Sequence, residues 1–423
     1  MKLLIDYSRE QLNEFESAVR KRYDEIVDMH ISLNMARGKP APEQLDLSNN
    51  MLNSNFSFCD SEGFDCRNYG LLYGIPECRQ LFGELLGVPA KNVIACGSSS
   101  LNLMFDYIAQ CCYKGVAGAE PWIFNKNKKF IAVVPGYDRH FAIAEYFGLE
   151  MINVPMTADG PDMEAVEELV KDPDVKGMFC VPKYSNPDGI TYSAETIRRL
   201  AKMEPAAKDF RVIWDNAYVI HDLYDEADEL LNIFDEAKKY GHEDHFVAFT
   251  STSKITFAGA GVSAIAASDN NFNEISSRLT LQTISYDKMN QLRHCQLYKS
   301  VADIREQMSK HASILRPKFD TVLESLDFYL NGLGIASWNE PKGGYFISLD
   351  VLVGSAKYVG ELCENAGLVL TKVGATYPYG VDPDDKNIRL APSYPSVDEL
   401  KIASEIVCLA VKLAACKYLR ETK

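Results

Sequence analysis

Lys254 lies in the run Ser251-Thr252-Ser253-Lys254-Ile255-Thr256-Phe257-Ala258-Gly259, directly after the apolar stretch His245-Phe246-Val247-Ala248-Phe249. The apolar stretch reads as a buried strand. A lysine at a strand exit, set among hydroxyls and followed by glycines, suits an amine held in a cleft to form a Schiff base with an aldehyde. A loop lysine beside a strand is the plainer reading of this segment alone. The choice between the two rests on what the other strand exits carry.

In open parallel sheets, ligands bind beyond the carboxyl ends of the strands. Val93–Cys96 is followed by Gly97-Ser98-Ser99-Ser100, which opens a helix. Free N–H groups, hydroxyls and the helix dipole there suit a phosphate, although serines are also ordinary helix caps. Phe130–Val134 leads into Pro135-Gly136-Tyr137-Asp138-Arg139-His140. Tyr137 either stacks on an aromatic ligand ring or fills core. His140 is either a hydrogen-bond partner behind the site or a surface histidine. Gly177–Val181 leads into Pro182-Lys183-Tyr184-Ser185-Asn186-Pro187-Asp188-Gly189. Asn-Pro-x-Gly is a common turn, but the Asn186 amide can also donate to a phenolate oxygen. Phe210–Trp214 ends in Asp215-Asn216-Ala217-Tyr218. A carboxylate ending an apolar strand is costly unless paired. A pyridine nitrogen would pair with Asp215 and stay protonated, as an electron sink requires. Tyr218, three residues on, can reach the same phenolate as Asn186. Arg389, inside the short apolar strand Asn387–Leu390, wants a planar anion. A substrate carboxylate and an internal salt bridge both fit it.

These residues need a scaffold, and the hydropathy pattern supplies one. From about 90 to 270 the chain alternates strand and helix signals, which predicts a mostly parallel sheet covered by helices. Val262–Ala267 is a further strand of that region. Residues 9–30 read as a charged amphipathic helix with Tyr23, Ile26, Val27 and His30 on one side. A long helical pattern from about 296 to 328 is interrupted at Arg316-Pro317. The final hundred residues mix strands (Gly344–Leu349, Asn387–Leu390) with helices (Ala356–Ala366, Val397–Tyr418). The expected division is a large domain over 50–315 and a smaller α+β domain built from 1–49 and 316–423.

Composition narrows the function classes. A chain of 423 residues is too long for one ordinary core, so roughly two or three domains are expected. With 47% apolar and 24% charged residues it has the make-up of a globular enzyme. A formal charge of −15 argues against a nucleic-acid partner. Eleven scattered cysteines without a Cys-x-x-Cys pair suggest reduced thiols in a cytoplasmic protein. The start, Met1-Lys2-Leu3-Leu4-Ile5-Asp6, lacks the apolar stretch of a signal peptide. No apolar run approaches the ~20 residues of a membrane span. No metal is expected.

The ordered set Tyr69, Gly74 with Arg79, Gly97-Ser98-Ser99, Tyr137, Asn186-Pro187-x-Gly189, Asp215 with Tyr218, Lys254 and Arg389 resembles the class I aminotransferases of fold type I, across nearly the whole chain. Four phrases are similar to a divergent aspartate aminotransferase subgroup, labelled MocR-like or subgroup Ic. They are Ala36-Arg37-Gly38-Lys39-Pro40, Tyr69 to Arg79, Ser251 to Gly261, and Arg389-Leu390-Ala391-Pro392-Ser393-Tyr394-Pro395. The resemblance implies the α/β fold of PLP transferases and pyridoxal 5'-phosphate (PLP) as cofactor. It implies that Lys254 tethers PLP and moves the proton, that Asp215 pairs with the ring nitrogen, and that His140 backs Asp215. Asn186 and Tyr218 would bind the ring oxygen, and Tyr137 would stack on the ring. Ser98, Ser99, Ser251 and Ser253 would cup the phosphate, with Tyr69 reaching in from the second subunit of a homodimer. Arg389 would clamp the substrate α-carboxylate near Gly38.

One departure stands out. The family carries an arginine about eight residues after the lysine, on the phosphate. This chain has Val262 there, no Lys or Arg between Lys254 and Arg278, and a segment, Ala258-Gly259-Ala260-Gly261, that is one residue shorter. Phosphate binding must therefore be rebuilt, with Lys183 as one candidate cation. The expected reaction is transamination between an amino acid, aspartate first, and a 2-oxo acid, 2-oxoglutarate first. The distal carboxylate of such a substrate needs its own cation, and Arg37, Lys288 and Arg293 are the candidates. The alternatives are an aminotransferase for aromatic or 2-aminoadipate-like substrates, a PLP lyase, and a ligand-sensing regulator. Such regulators carry a helix-turn-helix domain ahead of the fold, for which too few residues precede Arg37.

Overall fold

The structure is a computed structural model that describes residues 3–53 and 56–422. Its largest sheet holds β1 (Val93–Ala95), β2 (Lys129–Val134), β3 (Glu150–Thr157), β4 (Gly160–Pro161), β5 (Val175–Cys180), β6 (Arg211–Asp215), β7 (Phe246–Ser251) and β8 (Ser263–Ala267). Their spatial order is β1-β8-β7-β6-β5-β2-β3-β4. Strands β7, β6, β5, β2 and β3 run parallel. β8 is antiparallel to both neighbours, and β4 turns back antiparallel from β3.

Successive side chains of a strand point to opposite faces, and here each face meets its own core. Ile131, Val133, Met178, Val212, Trp214, Phe246 and Ala248 belong to one apolar cluster. The alternate residues Phe130, Ala132, Phe179, Ile213, Val247 and Phe249 belong to another. Burial on both faces explains why these strands read as unbroken apolar runs. β3 escapes that signal. Only Met151 and Val154 of its residues are buried, and it contains Pro155, which is tolerated one strand from the sheet edge.

Helices α1 (Arg9–Val27), α2 (Ser100–Tyr113), α3 (Asp138–Tyr146), α4 (Val301–Leu330) and α5 (Val397–Thr422) frame the rest. Ser8 and Gln11 form a reciprocal capping box at the start of α1. Leu12, Val19, Tyr23 and Ile26 of α1 pack in one cluster with Leu315, Phe319 and Val322 of α4 and with Leu400 to Leu419 of α5. His30 does not continue the apolar side of α1. The helix ends at Val27, and His30 is exposed at φ 49°. Pro317 does not interrupt α4 either, because the residues around it are core. Leu315, Lys318, Phe319 and Val322 are all buried, and that packing outweighs one missing N–H. Ile304 and Met308, earlier on α4, join the core of the large sheet.

The smaller sheet has the order β9 (Ala336–Trp338), β10 (Ile347–Val351), β11 (Asn387–Leu390), all antiparallel, with Arg389 opposite Ser348. Leu33-Asn34 pairs in parallel with Leu368-Val369. The pairing sets Ala36 beside Thr371, whose hydroxyl donates to the Ala36 carbonyl at 2.6 Å. Gly74 has φ 90°, and a Cβ there would meet the Ala95 Cβ at 2.7 Å, so this close approach requires glycine. All eleven cysteines are free thiols. Among the described residues no helix is long and apolar enough to cross a membrane.

A buried polar chain supports the segment after Lys254. His311 Nε2 donates to the Ile255 carbonyl at 3.0 Å, and Nδ1 accepts from Gln44 Nε2 at 3.0 Å. Gln44 also donates to the Tyr345 hydroxyl at 3.0 Å. Burial pushes the His311 pKa down to about 4. Between about pH 6.5 and 4 the unfolded chain therefore takes up a proton that the folded chain refuses, and stability is lost as pH falls through that window. The shift corresponds to roughly 3 kcal/mol at most. Asp188, whose carboxyl burial pushes up to about 7, acts in the opposite sense, so the useful quantity is a difference between variants. Denaturant midpoints at pH 7, 6 and 5 should show the stability gap between wild type and His311→Gln shrinking as pH falls. A gap that is constant or widens would mean that His311 is charged in the folded protein.

Candidate active site

The carboxyl ends of β2, β5, β6 and β7, the start of α2, the segment Ala36–Lys39, the segment Leu370–Ala375 and β11 surround a cavity of about 580 Å³. Lys254 lies in its wall, three residues after the end of β7, with Nζ 4.9 Å from the centre of the Tyr218 ring and 5.9 Å from that of Tyr345. Desolvation lowers the pKa of the Lys254 ammonium, against the pull of Asp215. The sheet aligns the two chemical exits. β6 and β7 are parallel neighbours, so Asp215 at the end of β6 opens on the same cavity.

Asp215 is held from behind. Its Oδ2 accepts from His140 Nε2 at 3.0 Å, and both side chains are buried. The His140 ring stacks on Phe179 with centroids 4.4 Å apart, and Tyr137 meets it edge-on at 4.9 Å. Asp215 Oδ1 is buried without a hydrogen-bond partner. A buried carboxylate oxygen without a donor is expensive, so this atom marks a place for an N–H. Tyr137 and Tyr218 both line the cavity. Burial, then the nearby Asp215 charge, pushes the Tyr137 phenol up to about 12. Burial, then Tyr137 and Asp215, raises Tyr218 well above the usual tyrosine range. Both hydroxyls therefore keep their protons at neutral pH and remain donors.

Arg389 reaches the cavity from β11. Its Nη1 donates to Asp138 Oδ1 at 2.9 Å and to Asn186 Oδ1 at 3.2 Å, and its Nε donates to Thr371 Oγ1 at 3.3 Å. It thus holds an internal ion pair and lines the cavity at once. Below it lies the Phe346 ring, 4.9 Å from the guanidinium carbon. Gly38 rests against the same ring, where a Cβ would meet Phe346 Cζ at 2.5 Å.

At the opposite end, α2 begins at Ser100 with no side chain capping its first turn, so its N–H groups are open to an anion. Ser99, Ser251 and Ser253 line the cavity there. Ser251 Oγ donates to Ser253 Oγ at 3.0 Å, and Ser253 Oγ donates to the Ser98 carbonyl at 3.3 Å. Ser98 is present through that carbonyl and does not line the cavity.

Four sequence candidates stand elsewhere. Tyr69 is 75% exposed and outside the cavity of its own chain. Lys183 is not a phosphate cation, because it pairs with Asp222 at 2.7 Å and borders a different cavity. Lys288 is buried with Nζ 6.0 Å from the centre of the Phe64 ring, and Arg293 is exposed; neither lines the cavity. Their helix, Lys288–Leu297, is occupied in bracing the sheet, with Gln291 accepting from Ile75 N and donating to the Ala95 carbonyl. Arg37, the remaining candidate, does line the cavity, and so do Lys39, Arg139 and Lys372, which sequence reasoning passes over. Asp138 and Arg139 follow Tyr137 directly and are open to the same strand-exit argument. Thr371 and Lys372 follow a two-residue strand, too short for any periodicity. Arg37, Lys39, Arg139, Lys254, Lys372 and Arg389 face only Asp138 and Asp215, so this acidic chain encloses a basic cavity suited to anions. Among the described residues no cluster of three or more His, Cys, Asp or Glu could hold a metal.

A mostly parallel sheet with a lysine at one strand exit and a carboxylate at the neighbouring exit fits the fold-type I aminotransferases. The family model for aspartate amino-transferase matches residues 7–423, and the chain belongs to that family. An aspartate aminotransferase of Corynebacterium glutamicum is 46% identical over 418 residues, covering 98% of this chain and 97% of its own. The crystal structure of an aspartate transaminase from the same species superposes with a TM-score of 0.96 at 46% identity, over 99% of both chains. An alpha-aminoadipate aminotransferase from Thermus thermophilus, complexed with N-(5'-phosphopyridoxyl)-L-leucine, shares the fold at 19% identity. It superposes with a TM-score of 0.71 over 93% of this chain and 94% of its own.

The contact between Gly38 and Phe346 is testable. Gly38→Ala forces the ring away from a filled site, and overpacking of this kind costs about 1–3 kcal/mol. Because Phe346 underlies Arg389, the variant should both lower the denaturation midpoint and raise the KM for amino acids. An unchanged KM would separate Gly38 from the Arg389 region.

Proposed function

We propose that this chain transfers an amino group from an amino acid, aspartate for preference, to a 2-oxo acid such as 2-oxoglutarate, with PLP held in the cavity described above. The observation that carries the reading is Asp215 Oδ1, an unpartnered buried carboxylate oxygen in the same cavity as a partly desolvated lysine. The residues present fit the cofactor group by group. Lys254 offers an amine for its aldehyde and Asp215 an acceptor for its ring N–H. Asn186 and Tyr218 offer donors for its phenolate, and Tyr137 offers a ring face. The Ser99, Ser251 and Ser253 hydroxyls with the open turn of α2 meet its phosphate. Arg139 borders both the cavity and the groove beside Leu101 and Asn102 of α2, and it supplies positive charge at that end.

When bound, PLP supplies an electron sink for the carbanion at the substrate Cα. The protein's own groups do the rest. Asp215 Oδ1 would keep the ring nitrogen protonated, with Oδ2 steadied by His140. Asn186 gives its carbonyl oxygen to Arg389, which leaves its amide N–H groups for the phenolate. Tyr218 would donate to the same oxygen. Lys254 would move the proton at the substrate Cα, and its lowered pKa favours the neutral amine that accepts it. Arg389 takes the α-carboxylate, and Arg37, Lys39 and Lys372 offer cations for a distal one.

Two domains with the boundaries expected from sequence, a homodimer, and a cytoplasmic setting complete the reading. Exposed Tyr69, Leu281 and Ile284 support the dimer, and eleven free thiols support the setting.

Aspartate added to the PLP-loaded protein should convert its absorbance to that of the pyridoxamine form, and 2-oxoglutarate should reverse the change. Lys254→Ala should abolish both, because tether and proton carrier vanish together. Full turnover in that variant would overturn the assignment of Lys254. For the distal carboxylate, at least one of Arg37→Ala, Lys39→Ala and Lys372→Ala should lower the aspartate-to-alanine ratio of kcat/KM by roughly tenfold, about 1.4 kcal/mol. If none of the three moves the ratio, the dicarboxylate preference fails and the aromatic or broad-specificity alternative replaces it.

A further inference from the structure

Arg389 has few free hydrogens for a substrate. A guanidinium carries five N–H donors. The one on Nε goes to Thr371, and the two on Nη1 go to Asp138 and Asn186. Two remain, both on Nη2. A carboxylate held bidentately needs parallel N–H groups from two different nitrogens. A substrate carboxylate can therefore form that fork only when Thr371, Asn186 or Asp138 lets go.

The chemistry of the three acceptors selects Asp138. Thr371 also ties Ala36 through its hydroxyl hydrogen, and its bond to Nε does not compete for charge. Asn186 is neutral. Asp138 is a carboxylate, so keeping it beside an incoming carboxylate places two like charges on one guanidinium. It is also equipped to leave. Its side chain is 33% exposed against 6% for Arg389. It stands in the first turn of α3, where water and the helix dipole can take its charge once the arginine is gone.

We infer that Asp138 is the internal carboxylate that the substrate's α-carboxylate displaces from Arg389, and that it thereby sets the affinity of the site for carboxylates. The inference rests on the reading of Arg389 as the α-carboxylate site. In the free protein Asp138 compensates the nearly buried guanidinium and keeps it aimed. On binding, one carboxylate replaces the other, so the gain is the difference between two similar ion pairs. Simple monocarboxylates are poor competitors for that reason. An amino or 2-oxo acid succeeds because its other groups supply the remaining energy.

The test is the affinity of the PLP-loaded protein for unreactive carboxylates, acetate and succinate, read from the shift they cause in the cofactor absorbance. Asp138→Asn keeps the size and an acceptor oxygen but removes the charge. It should bind both anions about five- to twentyfold more tightly than wild type. Asp138→Glu keeps the charge and should not tighten binding. Unchanged or weaker binding in Asp138→Asn would make Asp138 a mere orienter of Arg389 and overturn the inference. So would tightening in Asp138→Glu, since the effect would then not follow the charge. Arg389→Gln separates this inference from the reading beneath it. If that variant binds acetate and succinate as wild type does, Arg389 is not the carboxylate site at all, whatever Asp138 does.

Discussion

A buried carboxylate with one oxygen satisfied and one not is the constraint on which the rest of the site depends. Asp215 closes the apolar strand β6, so its charge is stranded in the core unless donors reach it. His140 satisfies Oδ2, and the stacking of Phe179 and the edge of Tyr137 hold the imidazole where it can do so. Oδ1 is left for something that enters the cavity. The neighbouring parallel strand then sets where Lys254 must stand, since β6 and β7 are locked residue against residue from Val212–Phe246 to Asp215–Phe249.

Charge is distributed against the trend of the chain. The protein carries a formal −15, yet six cations and two carboxylates line the cavity. Anionic ligands are thus attracted to one region of an otherwise repelling surface. The two ends of the cavity differ in chemistry. One offers neutral hydroxyls, an uncapped helix turn and Arg139. The other offers Arg389 with Thr371, Asn186 and Asp138 arranged around it. Oriented N–H groups and hydroxyls at the first end suit an anion even though no arginine follows the lysine closely.

The second end is assembled from three distant stretches. Leu33-Asn34 pairs with Leu368-Val369, Thr371 is bonded to Ala36, and β11 lies across β10. Gly38 lets the first stretch lie against Phe346, and Phe346 supports the guanidinium. α4 contributes both to the core that holds β10 and β11 and to one of the two cores of the large sheet, so those two cores share one long structural member.

The sequence by itself determined the strand exits and the residues on them. Buried parallel strands are apolar on both faces, and a polar residue at the end of such a run is conspicuous. Lys254, Asp215, Tyr137, Asn186 and the serines are legible for that reason, as is the mostly parallel fold. β3, with only two buried residues and Pro155, is not legible as a buried strand. Pro317 reads as a break because local propensity says so, and core packing along α4 overrules it. Only the tertiary structure decided which cations face the cavity. A charged side chain reads the same in a sequence whether it lines a site, pairs as Lys183 does with Asp222, or is buried in a brace as Lys288 is. The bonds from Thr371 to Ala36 and from Arg389 to Asp138 join residues 335 and 251 positions apart. Such contacts follow from how sheets and helices pack, and no periodicity within a single stretch encodes them.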